Sequence, residues 1–244
     1  MNSDNSLEPQ TNGPPPGPLQ LCEAAGFAFP VFISWPHLIQ SRGEEIVRAL
    51  SQALENRFKD DGGASVFLDV ARIRPGYVWD ETVRVSLCRS AVTVVFLVRS
   101  YFSSDYCCTE WAISEALSAR RLAGNRTRSA IIPILLARNL PLPREVQKIQ
   151  FGDEFQELLV YGRDVTSHEK WNRIVDQLVQ QIYELIEFVC TSERDWEGEE
   201  KLASSAAPMR FSWPRSVGSG APLRTLQARA KSSFPRLSVE KPAA

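Results

Sequence analysis

The chain has 244 residues and carries 28 lysines and arginines against 29 aspartates and glutamates, for a net charge of −1. A near-neutral balance argues against a general nucleic-acid binder, and the 43% hydrophobic content is that of a soluble globular protein with a sizeable core. The apolar run Ala91–Val98 is too short to span a bilayer, and Met1-Asn2-Ser3-Asp4 has neither the basic nor the apolar part of a secretion signal, so a cytoplasmic location is expected.

Residues 1–25 read as a disordered Pro-rich segment, because Gly13-Pro14-Pro15-Pro16-Gly17-Pro18 can neither pair in a sheet nor continue a helix. Phe29–Trp35 is a β-branched and aromatic run, the first predicted strand. Glu44–Phe58 follows as a helix with Ile46, Ala49, Leu50, Ala53, Leu54 and Phe58 on one stripe. After Gly62-Gly63, Ala64–Asp69 reads as the second strand. A loop, Val70–Tyr77, contains Pro75-Gly76 and leads into a helix with Val83, Leu87 and Cys88 inward. Ala91–Val98 is the third strand, and Ser103–Leu122 a long helix capped by serine. Ala130–Leu136 makes the fourth strand. A proline-punctuated stretch, Leu140–Phe151, leads to a fifth expected around Glu157–Tyr161. The last helix runs from about His168 to Cys190, with Trp171, Ile174, Leu178, Ile182, Leu185 and Val189 on its apolar face. Residues 191–244 read as a solvated tail, first acidic and then basic, with Phe211, Trp213 and Phe234 scattered through it. Residues 26–190 are therefore the folded domain. Continuously apolar strands alternating with helices predict an α/β, doubly wound, five-stranded parallel sheet.

In such a sheet ligands bind outside the carboxyl ends of the strands. Ser34-Trp35-Pro36 ends the first strand, Asp69 the second, and Arg72 and Arg74 lie in the loop before Gly76, with Trp79 opening the next helix. Ser103 or Ser104 is placed to cap the long helix, whose free N–H groups suit a phosphate. Glu110 lies on the same helix face as Tyr106, four residues earlier. Each residue also has a plainer reading: Glu110 as a surface carboxylate near a helix N-terminus, Trp35 and Trp79 as packing, Arg72 and Arg74 as solvated charges. No GxGxxG follows the first strand, which argues against a Rossmann dinucleotide site. The five cysteines, Cys22, Cys88, Cys107, Cys108 and Cys190, are scattered, which fits reduced thiols. With no CxxC, and only His37 and His168 as histidines, a metal site is not expected.

Over about residues 27–190 the sequence resembles the TIR (Toll/interleukin receptor) domain. Phe29-Pro30-Val31-Phe32-Ile33-Ser34-Trp35 is similar to the first TIR box. Phe67-Leu68-Asp69 through Arg74-Pro75-Gly76 and Trp79 resembles the second strand and the BB loop. Ser104-Asp105-Tyr106-Cys107-Cys108-Thr109-Glu110 resembles the Ser-x-Trp-Cys-x-x-Glu signature of bacterial and plant-type members. The resemblance implies a flavodoxin-like sheet and cleavage of NAD+ between nicotinamide and ribose, with Glu110 as the catalytic carboxylate. It also implies a pocket drawn from Ser34, Trp35, Arg72, Arg74, Gly76, Trp79, Ser104 and Tyr106. NAD+ would then be the substrate rather than a cofactor, and TIR–TIR self-association would accompany activity, in immune or cell-death signalling. Three departures stand out: Pro30 replaces the usual Asp, the loop lacks the Arg-Asp pair of receptor-type members, and Tyr106 replaces Trp. Two alternatives stay open: a non-enzymatic scaffold or adaptor that signals by self-association, and an unrelated function on a flavodoxin-like fold.

Overall fold

Buried strands with no polar face demand cover on both sides, and the helices supply it. The computed structural model describes residues 15–36, 42–62, 65–68, 79–123, 125, 127–150, 152, 154–191 and 193–213. Among them β1 (Phe29–Ser34), β2 (Phe67–Leu68), β3 (Ser90–Leu97) and β4 (Ile131–Leu135) form a four-stranded parallel sheet in the order β2-β1-β3-β4. β1 pairs with β3 in a register that sets Ile33 beside Val94 and Ser34 beside Val95. The helices are α1 (Pro18–Ala24), α2 (Arg42–Asp60), α3 (Trp79–Cys88), α4 (Asp105–Arg121), α5 (Arg144–Gln147), α6 (Phe155–Leu158), α7 (Trp171–Cys190) and α8 (Trp196–Ser205), with 3₁₀ turns at Arg99–Ser103 and Gly162–Ser167.

Side-chain alternation along β1 sorts its residues between two layers. Val31, Ile33 and the following Trp35 pack with Ile46, Leu50 and Leu54 of α2 and Ile182 and Ile186 of α7. Phe32 points to the opposite face, stacked on Phe67 at 5.2 Å and packed with Leu87 of α3 and Ile113 and Leu117 of α4. Ser34 has the parity of Phe32, so the same alternation that buries Trp35 under α2 and α7 turns Ser34 toward α4.

The fold departs from the sequence expectations in three places. The fifth strand expected at Glu157–Tyr161 is instead helical around α6, with Phe155 and Leu158 buried at helical spacing. Among the described residues the sheet continues past β4 as a single parallel bridge between Ile134 and Gly152, with Gly152 N–H donating to Pro133 O at 3.0 Å. Pro133 faces that edge with its carbonyl and has no N–H beside it, so the ladder lacks the next donor that a longer strand would need.

The second departure is α1, which occupies part of the segment expected to be disordered. Pro18 opens it, since a proline costs nothing at the first helical position, and Leu19 and Cys22 are buried. The third is the C-terminal region, expected as solvated tail from residue 191 on. Asp195 caps α8 by accepting from Gly198 N–H at 2.9 Å. Glu199, from the acidic cluster, forms a 2.6 Å ion pair with Arg121 in which both side chains are about fully buried, 3% and 2% exposed. Arg121 also donates to the carbonyls of Ser90 and Cys88, both at 2.6 Å, tying α4 and α8 to the start of β3. Beyond α8 the chain crosses α4: Met209 N–H donates to Cys108 O at 3.2 Å, and Phe211 packs edge-on against Phe102 and Trp111. Local composition marked these residues as polar because the Arg121 partner lies 78 positions away. Residues 1–14 and 214–244, also expected to be disordered, lie outside the described residues, as do Ala64 and Asp69 at the ends of the predicted second strand.

Replacing Glu199 leaves Arg121 and the neighbouring Arg194, 3.5 Å from the same carboxylate, buried without their counter-ion. Glu199→Gln is therefore expected to lower stability by about 3–5 kcal/mol, read as a lower urea midpoint at unchanged slope. A loss below about 1 kcal/mol would mean that the tie between α8 and the sheet does not rest on this pair.

Candidate functional site

The end of β1, the turn after β3 and the second turn of α4 meet at one point. Ser34 Oγ donates to Glu110 Oε2 at 2.5 Å, and the same Oγ lies 2.9 Å from the hydroxyl of Tyr101. Ser34 and Tyr101 are buried, and Glu110 is only 4% exposed. A carboxylate so enclosed must be held by donors, because an unpaired buried charge is prohibitively unfavourable. Tyr101, wholly buried, has its phenol pushed well above the usual tyrosine range by burial first, and then by the charges of Cys107 and Glu110. It stays protonated, a neutral donor within the cluster.

Glu110 also reaches a small, shallow cleft lined by Asp80, Val83, Arg84, Tyr106, Thr109 and Ile113 besides itself. Arg84 is held there by Asp80 one turn earlier, Nε to Oδ2 2.9 Å, and by donation to the carbonyls of Ala203 and Ala206 at the end of α8. Tyr106 stands at the rim, 59% exposed. The arrangement presents an acceptor-only carboxylate, anchored from behind, to whatever enters the cleft. Such a group can accept hydrogen bonds from hydroxyls or stabilise a developing positive charge.

The structure therefore brings Ser34, Tyr106 and Glu110 together. It separates Trp35, which lies 4% exposed in the main core beneath α2 and α7 and does not line the cleft. Ser104 is the N-cap of α4, accepting from Cys107 N–H at 3.3 Å, so it spends its oxygen on the helix. Trp79 opens α3. Its side chain, together with Arg72, Arg74 and Gly76, lies outside the described residues. Asp80, Arg84 and Tyr101 were not anticipated. Tyr101 alone left a trace in the sequence, as a hydroxyl-bearing aromatic in the polar break just after a buried strand.

The adjacent Cys107 and Cys108 do not form a reactive pair. Burial pushes the Cys108 thiol up, with Asp105 adding to the effect, and its Sγ faces the carbonyls of Tyr101 and Phe102. All five cysteines are free, and among the described residues no group of three His, Cys, Asp or Glu side chains is placed to hold a metal ion. No described helix is long and apolar enough to cross a membrane.

The family model described as the TIR domain matches residues 31–160, more than half of the chain, including Ser34, Tyr101 and Glu110. The chain belongs to the TIR-domain family. Two solved structures are also similar. The TIR domain of the Toll-related receptor TRR-2 from Hydra magnipapillata is similar at 18% identity and TM-score 0.43, covering 62% of this chain and 98% of that one. The TIR domains of the activated Roq1 resistosome, a structure described as directly recognising the pathogen effector XopQ, are similar at 19% identity and TM-score 0.32. That alignment covers 71% of this chain and 94% of the other. No curated protein matches the sequence.

In this TIR domain the role of Ser104 can be separated by two substitutions. As a cap, Ser104→Ala is expected to lower stability by about 1 kcal/mol and Ser104→Gly by only a few tenths, measured by urea unfolding. Equal losses for alanine and glycine would show that the side chain does something other than cap α4.

Proposed function

We propose that this TIR domain cleaves the bond between nicotinamide and ribose in NAD+, with Glu110 as the catalytic carboxylate. The observation that carries the reading is the position of Glu110: a buried carboxylate, anchored by Ser34 at the carboxyl edge of a parallel sheet, that still reaches an open cleft. Nicotinamide departs with the bonding electron pair as a neutral molecule, so no general acid is required. The ribose C1′ left behind is oxocarbenium-like. A negative charge held against it, or against the ribose hydroxyls, favours the transition state over the ground state. Water then adds at C1′ and loses a proton, giving ADP-ribose, nicotinamide and H⁺. An adenine nitrogen in place of water gives the cyclised product.

The cleft beside Glu110 is too small to enclose a dinucleotide by itself. A second copy of the chain supplies the remaining contacts in this reading, consistent with the self-association that the family resemblance implies. The competing reading, a scaffold that signals by self-association without chemistry, draws on the exposed Tyr106 at the rim of the cleft, 59% accessible. Nicotinamide release by the purified chain separates the two.

Glu110→Gln keeps the size and the acceptor for Ser34 but removes the charge. Folding is expected to survive while nicotinamide release falls roughly a hundredfold or more. Glu115, on the same helix but not lining the cleft, is the control, and Glu115→Gln is expected to retain activity. A folded Glu110→Gln protein that releases nicotinamide at the wild-type rate would overturn the reading. Self-association is tested separately. Turnover per molecule is expected to rise with protein concentration and to fall when Arg72 and Arg74 are both changed to Glu. Concentration-independent turnover, unaffected by that double reversal, would remove the second copy from the mechanism.

A further inference from the structure

We infer that Tyr101 is a positioning residue: by donating its phenolic proton to Ser34 Oγ, it commits the one Ser34 proton to the Glu110 carboxylate. The inference rests on reading Glu110 as the working carboxylate of the cleft. Its basis is a count of protons. An ionised carboxylate only accepts, so the 2.5 Å contact between Ser34 Oγ and Glu110 Oε2 contains the serine proton. Serine has no second proton. The 2.9 Å contact between Ser34 Oγ and Tyr101 Oη is then filled from the tyrosine side. The chain runs in one direction, from phenol to hydroxyl to carboxylate.

Direction matters because a serine hydroxyl rotates. With its lone pair engaged by Tyr101, Ser34 keeps one orientation and becomes a stronger donor, since hydrogen bonds in series polarise one another. The 2.5 Å separation lies within the short range of charge-assisted O–H···O⁻ bonds. The three groups come from β1, the 3₁₀ turn after β3, and α4, so the chain also fixes the carboxylate relative to the sheet. Tyr101 is fully buried, and burial first, then its neighbours Cys107 and Glu110, push its phenol well above the usual tyrosine range, so it keeps the proton it donates. It does not line the cleft, which is why it positions rather than reacts.

The test uses the full chain and a readout that does not depend on turnover. A short, buried hydroxyl hydrogen bond gives a far-downfield proton NMR signal protected from exchange. The wild type is expected to show one, absent in Ser34→Ala and in Glu110→Gln. Tyr101→Phe, which removes a single oxygen, is expected to move that signal upfield or broaden it away. Tyr183→Phe, which removes a phenol bonded to Asp61 elsewhere, should leave it in place. Uniform fluorotyrosine labelling acidifies the phenol without reshaping the core and should move the signal further downfield, which keeps the proposal testable if Tyr101→Phe does not fold. In nicotinamide release, Tyr101→Phe is expected to lower kcat about tenfold at unchanged KM. Ser34→Ala should mask the effect, so that the double variant loses no more than Ser34→Ala alone. A wild type without the signal, or a signal that ignores both Tyr101→Phe and fluorotyrosine, overturns the inference. A signal that responds as expected in a protein that releases no nicotinamide upholds the positioning role and overturns the NAD+ reading instead.

Discussion

A parallel sheet whose central strands are apolar on every residue is stable only when both of its faces are shut off from water, and in this protein that requirement decides where the rest of the chain goes. β3 is buried from Ser90 to Leu97, and β1 nearly so. One face is closed by α2 and α7, long amphipathic helices with continuous apolar stripes. The other is closed by α3 and α4, and α4 is itself buried on so many sides near its start that it needs a cover of its own. The segment after residue 191 provides that cover. Ala203 packs with Leu87 and Ile113, and Phe211 packs on Trp111. A charged helix can serve in this way because Glu199 meets Arg121 and the carbonyls around it, a paired and hydrogen-bonded arrangement that lets the charges tolerate burial.

The candidate site follows from the same closure. Glu110 is carried inward with α4, toward the face of the sheet that Ser34 shares with Phe32. A carboxylate there is unfavourable without donors, and Ser34 supplies one, backed by Tyr101. The site is therefore a defect in a packed layer, held open by hydroxyls and reached from outside through the cleft beside Asp80 and Arg84. The arrangement also links the cleft to the C-terminal helix, because Arg84 lines the one and donates to carbonyls at the end of the other.

Much of this was legible in the residues. The alternation of apolar runs and helical stripes located four strands and the major helices, since burial on both faces leaves a mark in every residue of a strand. The serine cap before α4 and the spacing from Tyr106 to Glu110 placed the carboxylate in the second turn. The errors have separate causes. Trp35 read as a site residue because it adjoins Ser34 in sequence, whereas alternation sends neighbours to opposite faces. The proposed strand at Glu157–Tyr161 failed because Phe155 and Leu158 bury at helical spacing and Pro133 has no N–H to extend the ladder. Residues 193–205 read as solvated because their charges were counted without the arginine that neutralises them.

By itself the sequence determined the class of fold, the resemblance to the TIR domain and the place of the Glu110 carboxylate in the second turn of its helix, because these depend on periodicity and on local motifs that a chain carries wherever it folds. Only the tertiary structure decided which residues surround that carboxylate. Tyr101, Ser34 and Glu110 come from three elements, and the Arg121–Glu199 pair spans 78 residues, so their contacts exist only once the layers have packed. Packing brings distant residues together by geometry, and local periodicity and motifs carry no record of which ones meet.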